Sequence, residues 1–179
     1  MVCDGPDLAV GCSTFVFVFH RNRGGRRALK FDLEIMMARL DKAVAIVTGA
    51  SSGIGKATAR LFAREGAAVV VVHHDHPDEA KKVVDAIAAA GGRAIMVAAD
   101  VSDEAEVEKV FEQAQRAFGA PTILVNAAGV DAAGIPVADM KLDQFEMVLR
   151  TNLVGPFLFC RAFVRGCKAA KARGKIINI

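Results

Sequence analysis

The segment from Ala43 to Gly55, AVAIVTGASSGIG, places an apolar strand directly before a glycine-rich turn that opens a helix. Gly49 is expected to permit the tight turn that leaves the strand. Gly53 would let backbone amides approach a pyrophosphate, and Gly55 would let the helix pack closely on the strand. The phosphates would then lie at a helix N-terminus, where free N–H groups and the helix dipole favour anions. This strand–turn–helix order predicts a dinucleotide-binding site.

The glycine turn has two other interpretations. A P-loop is suggested by Lys56, but that motif requires Gly at position 50 and Ser or Thr at position 57, where this chain has Ala50 and Ala57. A nucleoside triphosphatase is therefore disfavoured. A purely structural glycine turn remains the alternative.

Strands and helices alternate along the chain after residue 42. The first helix is expected to bury one stripe, formed by Ile54, Ala57, Leu61, Phe62 and Glu65. A long helix is expected over 142–172. Apolar runs predict strands over 43–48, 67–73, 93–99, 122–126 and, beginning the last, 175–179. Short βα repeats of this kind predict an α/β fold with a doubly wound parallel sheet and strand order 3-2-1-4-5.

Residues 1–38 lack a sustained helix or strand period, and we expect a disordered leader or an upstream mistranslation there. The alternative is an added strand over 14–19. The folded domain is expected over 39–179.

The amino-acid composition limits the classes of partner that we expect for this chain. The net charge of +3 comes mostly from the leader and is too small to predict a nucleic-acid partner. The four cysteines have no CxxC spacing, which favours free thiols in the cytoplasm. No stretch approaches the roughly 18 apolar residues that span a bilayer, so we expect no membrane partner.

Four segments together resemble the short-chain dehydrogenase/reductase family. They are TGASSGIG from Thr48, Asp100-Val101 after the third strand, NAAG from Asn126, and TNLVG from Thr151. The resemblance covers residues 42–179 and implies a Rossmann fold that binds NAD or NADP. KIINI and TNLVGPF are similar to segments of glucose 1-dehydrogenase-like members. The cofactor-binding residues that it implies are Thr48, Gly49, Ser51, Ser52, Gly53, Ile54, Gly55, His74, Asp75, Asp100, Val101, Asn126, Ala127, Ala128 and Gly129.

Two of the implied roles have local alternatives. Asp100 would hold the adenine amino group, but it could equally be a neighbour of a helix N-cap formed by Ser102. Ala127 replaces the second Asn of the family's NNAG loop, which puts local hydrogen bonding in question.

Asn152 matches the family's catalytic asparagine, whose backbone carbonyl holds a water in a proton relay. Pro156 lies four residues later and has no N–H to bond that carbonyl, so the helix should bend and expose it. An ordinary kink with a buried Asn is the alternative.

The end of the second strand, His73-His74-Asp75-His76, should select the cofactor. A carboxylate there binds the ribose 2′-hydroxyl of NAD, whereas a basic side chain favours the 2′-phosphate of NADP. Asp75 without a nearby Arg or Lys favours NAD. Three imidazoles on an exposed loop are ordinarily solvated, so no metal site is predicted.

The family's proton donor is a tyrosine, supported by a lysine and a serine, and this chain contains no tyrosine. We therefore expect a C-terminally truncated chain that is itself inactive. The leading hypothesis is an oxidoreductase acting on a sugar or another secondary alcohol or ketone, a small-molecule substrate, whose full-length form is a homo-oligomer. The alternatives are a non-catalytic fragment that binds a dinucleotide or a partner, and a non-functional gene-model fragment.

Overall fold

The computed structural model describes residues 15–18, 29–32 and 39–179. The chain divides into two units, residues 1–39 and 40–179. In the first unit, strand β1 (Phe15–Val18) pairs antiparallel with β2 (Leu29–Asp32), with Phe15 opposite Asp32. The first strand matches the alternative considered for residues 14–19. Most of the expected leader lies outside the described residues, so its disorder stays a prediction.

The second unit is built on a five-stranded parallel sheet. Its strands are β3 (Val44–Val47), β4 (Ala68–His73), β5 (Arg93–Ala98), β6 (Ile123–Asn126) and β7 (Lys175–Asn178). They lie in the order β5-β4-β3-β6-β7, and each neighbouring pair is parallel. Counted within this unit the order is 3-2-1-4-5, so the predicted topology is confirmed.

Helices cover both faces of the sheet. They are α1 (Gly53–Arg64), α2 (Pro77–Ala89), α3 (Glu104–Phe118), α4 (Leu142–Leu149) and α5 (Gly155–Ala169). Helices α1 and α2 share one core cluster with Val47 and Val71, whereas α3 and α5 share another with Ile46 and Val70. Neighbouring strand residues therefore face opposite cores, which explains why these strands are apolar at every position.

The buried stripe predicted for α1 is wrong. Its buried residues are Gly55, Ala59 and Ala63, whereas Ile54 is 60% exposed and Leu61 is 44% exposed. Ala57 is also exposed, and Phe62 and Glu65 are half-buried. The helix lies so close to the sheet and the glycine turn that only small side chains fit on its inner face.

The predicted long helix is interrupted. A π-helical turn (Arg150–Val154) joins α4 to α5, and the segment ends at Ala169 rather than at residue 172. Over Leu142–Ala169 the segment is long and apolar enough to cross a membrane, with a mean hydropathy of 1.3 in its best window. This criterion uses length and composition alone, and a helix in the core of a soluble protein also meets it. The same segment contributes Leu158, Phe159 and Phe163 to the core of the domain.

Candidate functional site

The glycine turn after β3 is held by close backbone contacts. Gly49 has a φ of 62°, and a Cβ added there would lie 2.8 Å from the Ala127 carbonyl oxygen. A Cβ on Gly55 would lie 2.5 Å from the carbonyl oxygen of Gly49. The predicted tight turn at Gly49 is therefore present. The close approach at Gly55 is to the turn itself and not to the strand.

The first turn of α1 is open to an anion. Ser52 is the N-cap, and within the described chain its hydroxyl makes no capping hydrogen bond. The first turn contains no acidic side chain that could occupy the N-terminus. Gly53 has a φ of 50°, and beyond its chain neighbours and its own helix backbone no described atom lies within 4 Å of a Cβ built on it. Free N–H groups beside an unfilled space are what a pyrophosphate requires, so this turn fits a dinucleotide.

Thr48 joins the glycine turn to the NAAG loop. It is buried, and its Oγ1 accepts hydrogen bonds of 3.0 Å from the N–H groups of both Ala127 and Ala128. The backbone N–H of Ala127 is therefore bonded to a threonine 79 residues earlier, whereas the alanine side chain offers no donor or acceptor in place of the second Asn. Asn126 is buried beside this loop, and its Nδ2 donates to Oδ1 of Asn178 at 2.8 Å. Asn126 therefore ties β6 to β7.

Asp100 lies in the loop that follows β5. Its Oδ1 accepts from the backbone N–H of Ser102 at 2.8 Å and from the Ser102 hydroxyl at 2.9 Å. Burial acts to raise the pKa of Asp100, but these two hydrogen bonds, with the positive charges of His74 and Arg150, hold it below its usual value. The carboxylate is therefore stabilised in its charged form.

The N-cap of α3 is not Ser102. Asp103 is the N-cap, and its Oδ1 accepts from the N–H of Glu106 at 2.9 Å. The Glu106 carboxylate in turn accepts from the N–H of Asp100 at 2.6 Å. The capping alternative for Ser102 is therefore wrong. Asp103 was overlooked because three consecutive polar residues could each have begun the helix.

Val101 sets the start of α5. It is buried, and its Cγ2 lies 2.7 Å from where a Cβ on Gly155 would stand. The helix can approach the loop after β5 this closely because position 155 has no side chain. Val101 thus brings the segment carrying Asn152 next to Asp100.

The side chains at the end of β4 differ in how deeply they are buried. His73 is buried, and its Nδ1 lies 3.2 Å from the carbonyl oxygen of His74. His74 and Asp75 are exposed, with 3.3 Å between Nδ1 and Oδ2. Among residues 39–179 there is no group of three His, Cys, Asp or Glu side chains that could hold a metal ion.

Asn152 holds the loop after β6 through its side chain. Its Oδ1 accepts from the N–H of Val130 at 2.9 Å, and its Nδ2 donates to the carbonyl oxygen of Val130 at 2.8 Å. Asn152 itself is exposed and lies in the π turn, whose bond runs from the Gly155 N–H to the Arg150 carbonyl. The predicted irregularity before Pro156 is present as a π turn, and Asn152 is not buried as the alternative required.

These elements surround one open cleft of about 700 Å³ at the carboxyl ends of the strands. Of the predicted residues, ten line it: Gly49, Ser51, Ser52, His74, Asp75, Asp100, Val101, Ala127, Ala128 and Gly129. The other six, which are not among the lining residues, are Thr48, Gly53, Ile54, Gly55, Asn126 and Asn152. The cofactor-binding and catalytic roles of all sixteen stay predictions.

Sequence reasoning missed one wall of the cleft. Asp143, Glu146, Met147, Arg150 and Thr151 line it from α4 and the π turn. Val72, His73, His76, Ala99, Ser102 and Val130 complete the lining. The α4 residues gave no motif, although their i, i+3, i+4 and i+7 spacing places Asp143, Glu146, Met147 and Arg150 on one helical face.

Solved structures share this fold. A metagenomic short-chain oxidoreductase in complex with NADP is 40% identical, with a TM-score of 0.72 over 78% of this chain and 62% of that chain. A short chain dehydrogenase from Burkholderia cenocepacia J2315, also in complex with NADP, is 34% identical, with a TM-score of 0.70 over 78% of this chain and 56% of that one.

Sequence comparison agrees. Glucose 1-dehydrogenase 2 of Bacillus subtilis is 35% identical over 135 residues, which is 75% of this chain and 52% of that protein. The uncharacterized oxidoreductase YxbG of Bacillus subtilis is 42% identical over 122 residues, 68% of this chain and 44% of that protein. The chain thus spans about half the length of these relatives. The sequence model of the short chain dehydrogenase family matches residues 43–179, and the chain belongs to that family of oxidoreductases.

Proposed function

We propose that this chain is the cofactor-binding part of an NAD(P)-dependent oxidoreductase whose substrate is a sugar or another secondary alcohol or ketone. The observation that carries the proposal is the single cleft that joins the glycine turn, Asp100 and the NAAG loop. The similarity to a glucose 1-dehydrogenase supports the substrate class. When bound, the nicotinamide would accept or donate a hydride.

The residues of this chain divide the binding between them. The N–H groups at Ser52 and Gly53 receive the pyrophosphate, because α1 presents them uncapped. Asp100 accepts a hydrogen bond from the adenine amino group, as its charged form is stabilised by Ser102. The NAAG loop, fixed by Thr48, borders the remaining length of the cofactor.

The choice between NAD and NADP rests on the end of β4. The exposed Asp75 carboxylate suits the ribose 2′-hydroxyl of NAD. The two solved relatives were obtained with NADP, which gives no support to a preference for NAD. We therefore propose that both dinucleotides bind.

We propose that this 179-residue chain does not carry out the proton transfer by itself. It has no tyrosine, so a tyrosine cannot donate or accept the substrate proton. Asn152 is our candidate for a proton relay through its backbone carbonyl, because Pro156 leaves that carbonyl without an i+4 donor. We propose that the chain alone binds the dinucleotide without turnover, and that the longer protein is a homo-oligomer. We place it in the cytoplasm, without a nucleic-acid or membrane partner.

Titration calorimetry with NAD and NADP tests the binding. Gly53→Val puts a branched side chain at a positive φ beside the pyrophosphate and should abolish binding of both cofactors. Gly91→Val is the matched control, because Gly91 also has a positive φ, of 80°, has no neighbour within 4 Å of its added Cβ, and lies outside the cleft lining. It should carry the same backbone strain and still bind.

Two results would contradict the proposal. Native protein that binds neither cofactor would leave the glycine turn as a structural turn only. Equal loss of affinity in Gly53→Val and Gly91→Val would mean that the effect is strain and not phosphate approach. Separately, turnover of secondary alcohols by the native chain above a blank would overturn the assignment of catalysis to residues beyond this chain.

A further inference from the structure

A surface groove lies between α1 and α2, apart from the cleft described above. It has a volume of about 450 Å³, and none of its nine lining residues lines the cleft. A helix that follows a parallel strand runs back along the sheet, so α1 and α2 both end near the amino ends of the strands. Gly92, which also lines the groove, directly precedes β5. The groove and the cleft are therefore separate sites at opposite ends of the strands.

The floor of the groove is apolar and closely packed. Ala63 and Ile87 are buried and belong to the core cluster that α1 and α2 share. A Cβ added to Gly92 would lie 2.8 Å from Cγ2 of Ile87 and 3.3 Å from Cβ of Ala63. Leu61 and Ala90 also line the groove and are exposed, Leu61 to 44%. An alkyl chain in the groove would therefore contact carbon atoms from both helices and cover Leu61.

Two arginines of α1 supply the charge of the groove. Arg60 and Arg64 both line it, are exposed, and lie one helical turn apart, where like charges repel. Among the described residues, no ion pair includes either of them. The acidic residues next to the lining in sequence are Glu65 and Asp85, and Asp85 is already bonded to Nζ of Lys81 at 2.7 Å. The groove thus combines apolar walls with a net positive charge, which an anion would complement.

The size of the groove favours a small ligand over a protein partner. Its volume lies within the roughly 300–1,000 Å³ of small-molecule sites. Nine residues line it, whereas each side of a standard protein–protein interface has about 20–30. Its α1 wall, residues 57–64, extends over about 11 Å along the helix axis. A ligand of this length with one anionic end and one apolar end would match the groove.

We propose that the groove between α1 and α2 binds a medium-chain alkyl carboxylate. Arg60 and Arg64 hold the carboxylate, because the guanidinium group presents its donors in the fork that a carboxylate accepts. The alkyl chain lies along Leu61, Ile87 and Ala90, and its burial removes apolar surface from water. This site is independent of the dinucleotide binding proposed above.

Titration of the full 179-residue chain with octanoate, followed by the chemical shifts of the backbone amides, tests the proposal. At about pH 7.5 the ligand is a carboxylate. Shifts should move at residues 57–64 and 86–92, with a dissociation constant on the order of 1 mM. Butanoate, whose chain is too short to reach along the groove, should bind much more weakly.

Charge is tested with the double variant Arg60→Gln/Arg64→Gln, which preserves helix propensity. We expect it to bind octanoate roughly tenfold more weakly. The matched control is Lys109→Gln/Arg116→Gln, which removes two exposed charges from α3 on the other face of the sheet and should bind octanoate as native protein does. The uncharged 1-octanol should bind native protein and the Arg60/Arg64 variant equally.

The apolar wall is tested with Ala90→Leu, which places a branched side chain in the groove and should weaken octanoate binding severalfold. Ala88→Leu is its matched control. Ala88 is also an exposed alanine near the end of α2, but it does not line the groove, so this variant should bind octanoate normally.

Four results would overturn the inference. They are no shift at about ten times the expected constant, shifts at the residues of the cleft instead, equal weakening in the two double variants, and equal weakening in Ala90→Leu and Ala88→Leu. If octanoate has no effect but an acidic amphipathic peptide shifts residues 57–64 in an arginine-dependent way, the occupant is a protein and the inference is also wrong. Failure of native protein to bind NAD or NADP would overturn the proposed function and leave this inference standing.

Discussion

The two walls of the cleft are built differently. On one wall, α1 buries Gly55, Ala59 and Ala63, and the glycine turn is in close backbone contact with the NAAG loop. On the facing wall, all eight residues of α4 are partly or fully exposed. That wall is joined to the rest of the domain by the hydrogen bonds of Asn152 to Val130 and by the contact of Val101 with Gly155.

Under the proposed function, the packed wall would hold the pyrophosphate and the facing wall would carry Asn152, the residue proposed for the proton relay. The wall that would hold the pyrophosphate is fixed by packing, so changes there should reduce stability and cofactor affinity together. The wall that carries Asn152 is fixed by fewer contacts, so changes there should cost less stability. Large apolar residues on that side, such as Phe145, Leu153 and Phe157, are exposed.

The largest effect is expected at Gly55. Gly55→Ala places a Cβ 2.5 Å from the backbone oxygen of Gly49, which cannot rotate away. We expect the free energy of unfolding to fall by about 3 kcal/mol, near the upper end for overpacking. Denaturant unfolding followed by far-ultraviolet circular dichroism measures this, since the chain has no Trp or Tyr.

Gly166→Ala is the matched control for Gly55→Ala. Gly166 is exposed on α5, and no described atom lies within 4 Å of its added Cβ. The alanine should raise stability by up to about 1 kcal/mol through helix propensity. A similar loss in both variants would mean that the close contact between positions 55 and 49 is not the cause of the destabilisation.

A smaller effect is expected at Thr48, which links the packed wall to the NAAG loop. Thr48→Val keeps the shape and removes the acceptor of the Ala127 and Ala128 N–H groups. Because both amides are only partly buried, we expect a loss of about 2 kcal/mol in unfolding free energy, with weaker cofactor binding. Thr48→Ser keeps the hydroxyl and should retain the binding. If both variants bind alike, the threonine is not what positions the loop.

The strands of the sheet and their order could be predicted from the sequence, but the residues of the facing wall could not. Runs such as Val69–Val72 are apolar at every position because both faces of the strand are covered, so strands and their order could be predicted. The inner face of α1 could not be predicted in this way. A search for helical periodicity selects large apolar residues such as Ile54 and Leu61, whereas the short distance between the helix and the glycine turn allows only small residues there. Long-range partners such as Thr48 and Ala127 leave no local pattern.

Asn152 illustrates the same limit at the site. Pro156 was enough to predict an irregular helix, because the missing N–H is a local property. The pairing of the Asn152 side chain with Val130, 22 residues earlier, depends on how the helix docks and could not be read from spacing. The sequence therefore predicted the position of Asn152 in an irregular helix but not the hydrogen bonds that its side chain makes.

Asn152→Ala tests the weaker wall. It removes both hydrogen bonds to Val130, which are exposed, so we expect about 1 kcal/mol of lost stability and a more mobile loop after β6. Amide hydrogen exchange at residues 128–132 should rise, while exchange in α1 stays unchanged. Asn152→Asp keeps the acceptor for the Val130 N–H and should give a smaller increase. Faster exchange throughout the glycine turn as well would show that the two walls are coupled.

The smallest effect is expected at Asp100, between the walls. Burial acts to raise the pKa of Asp100, but the hydrogen bonds from Ser102 lower it below the ordinary value of 3.8 in the folded protein. Because the folded-state value is the lower one, the charged carboxylate contributes stability above the usual pKa, and that contribution is lost as pH falls through the folded-state value. Native protein should therefore exceed Asp100→Asn in stability at about pH 6 and lose that advantage at about pH 3. Denaturant unfolding at both pH values measures the difference in stability between the two proteins, which removes the general acid sensitivity of the fold.

Ser102→Ala removes the hydroxyl donor and leaves the backbone N–H, so it should give part of the effect. If the stability difference between native protein and Asp100→Asn does not change with pH, the loop after β5 is held by packing alone. Asp100 would then belong with the packed wall.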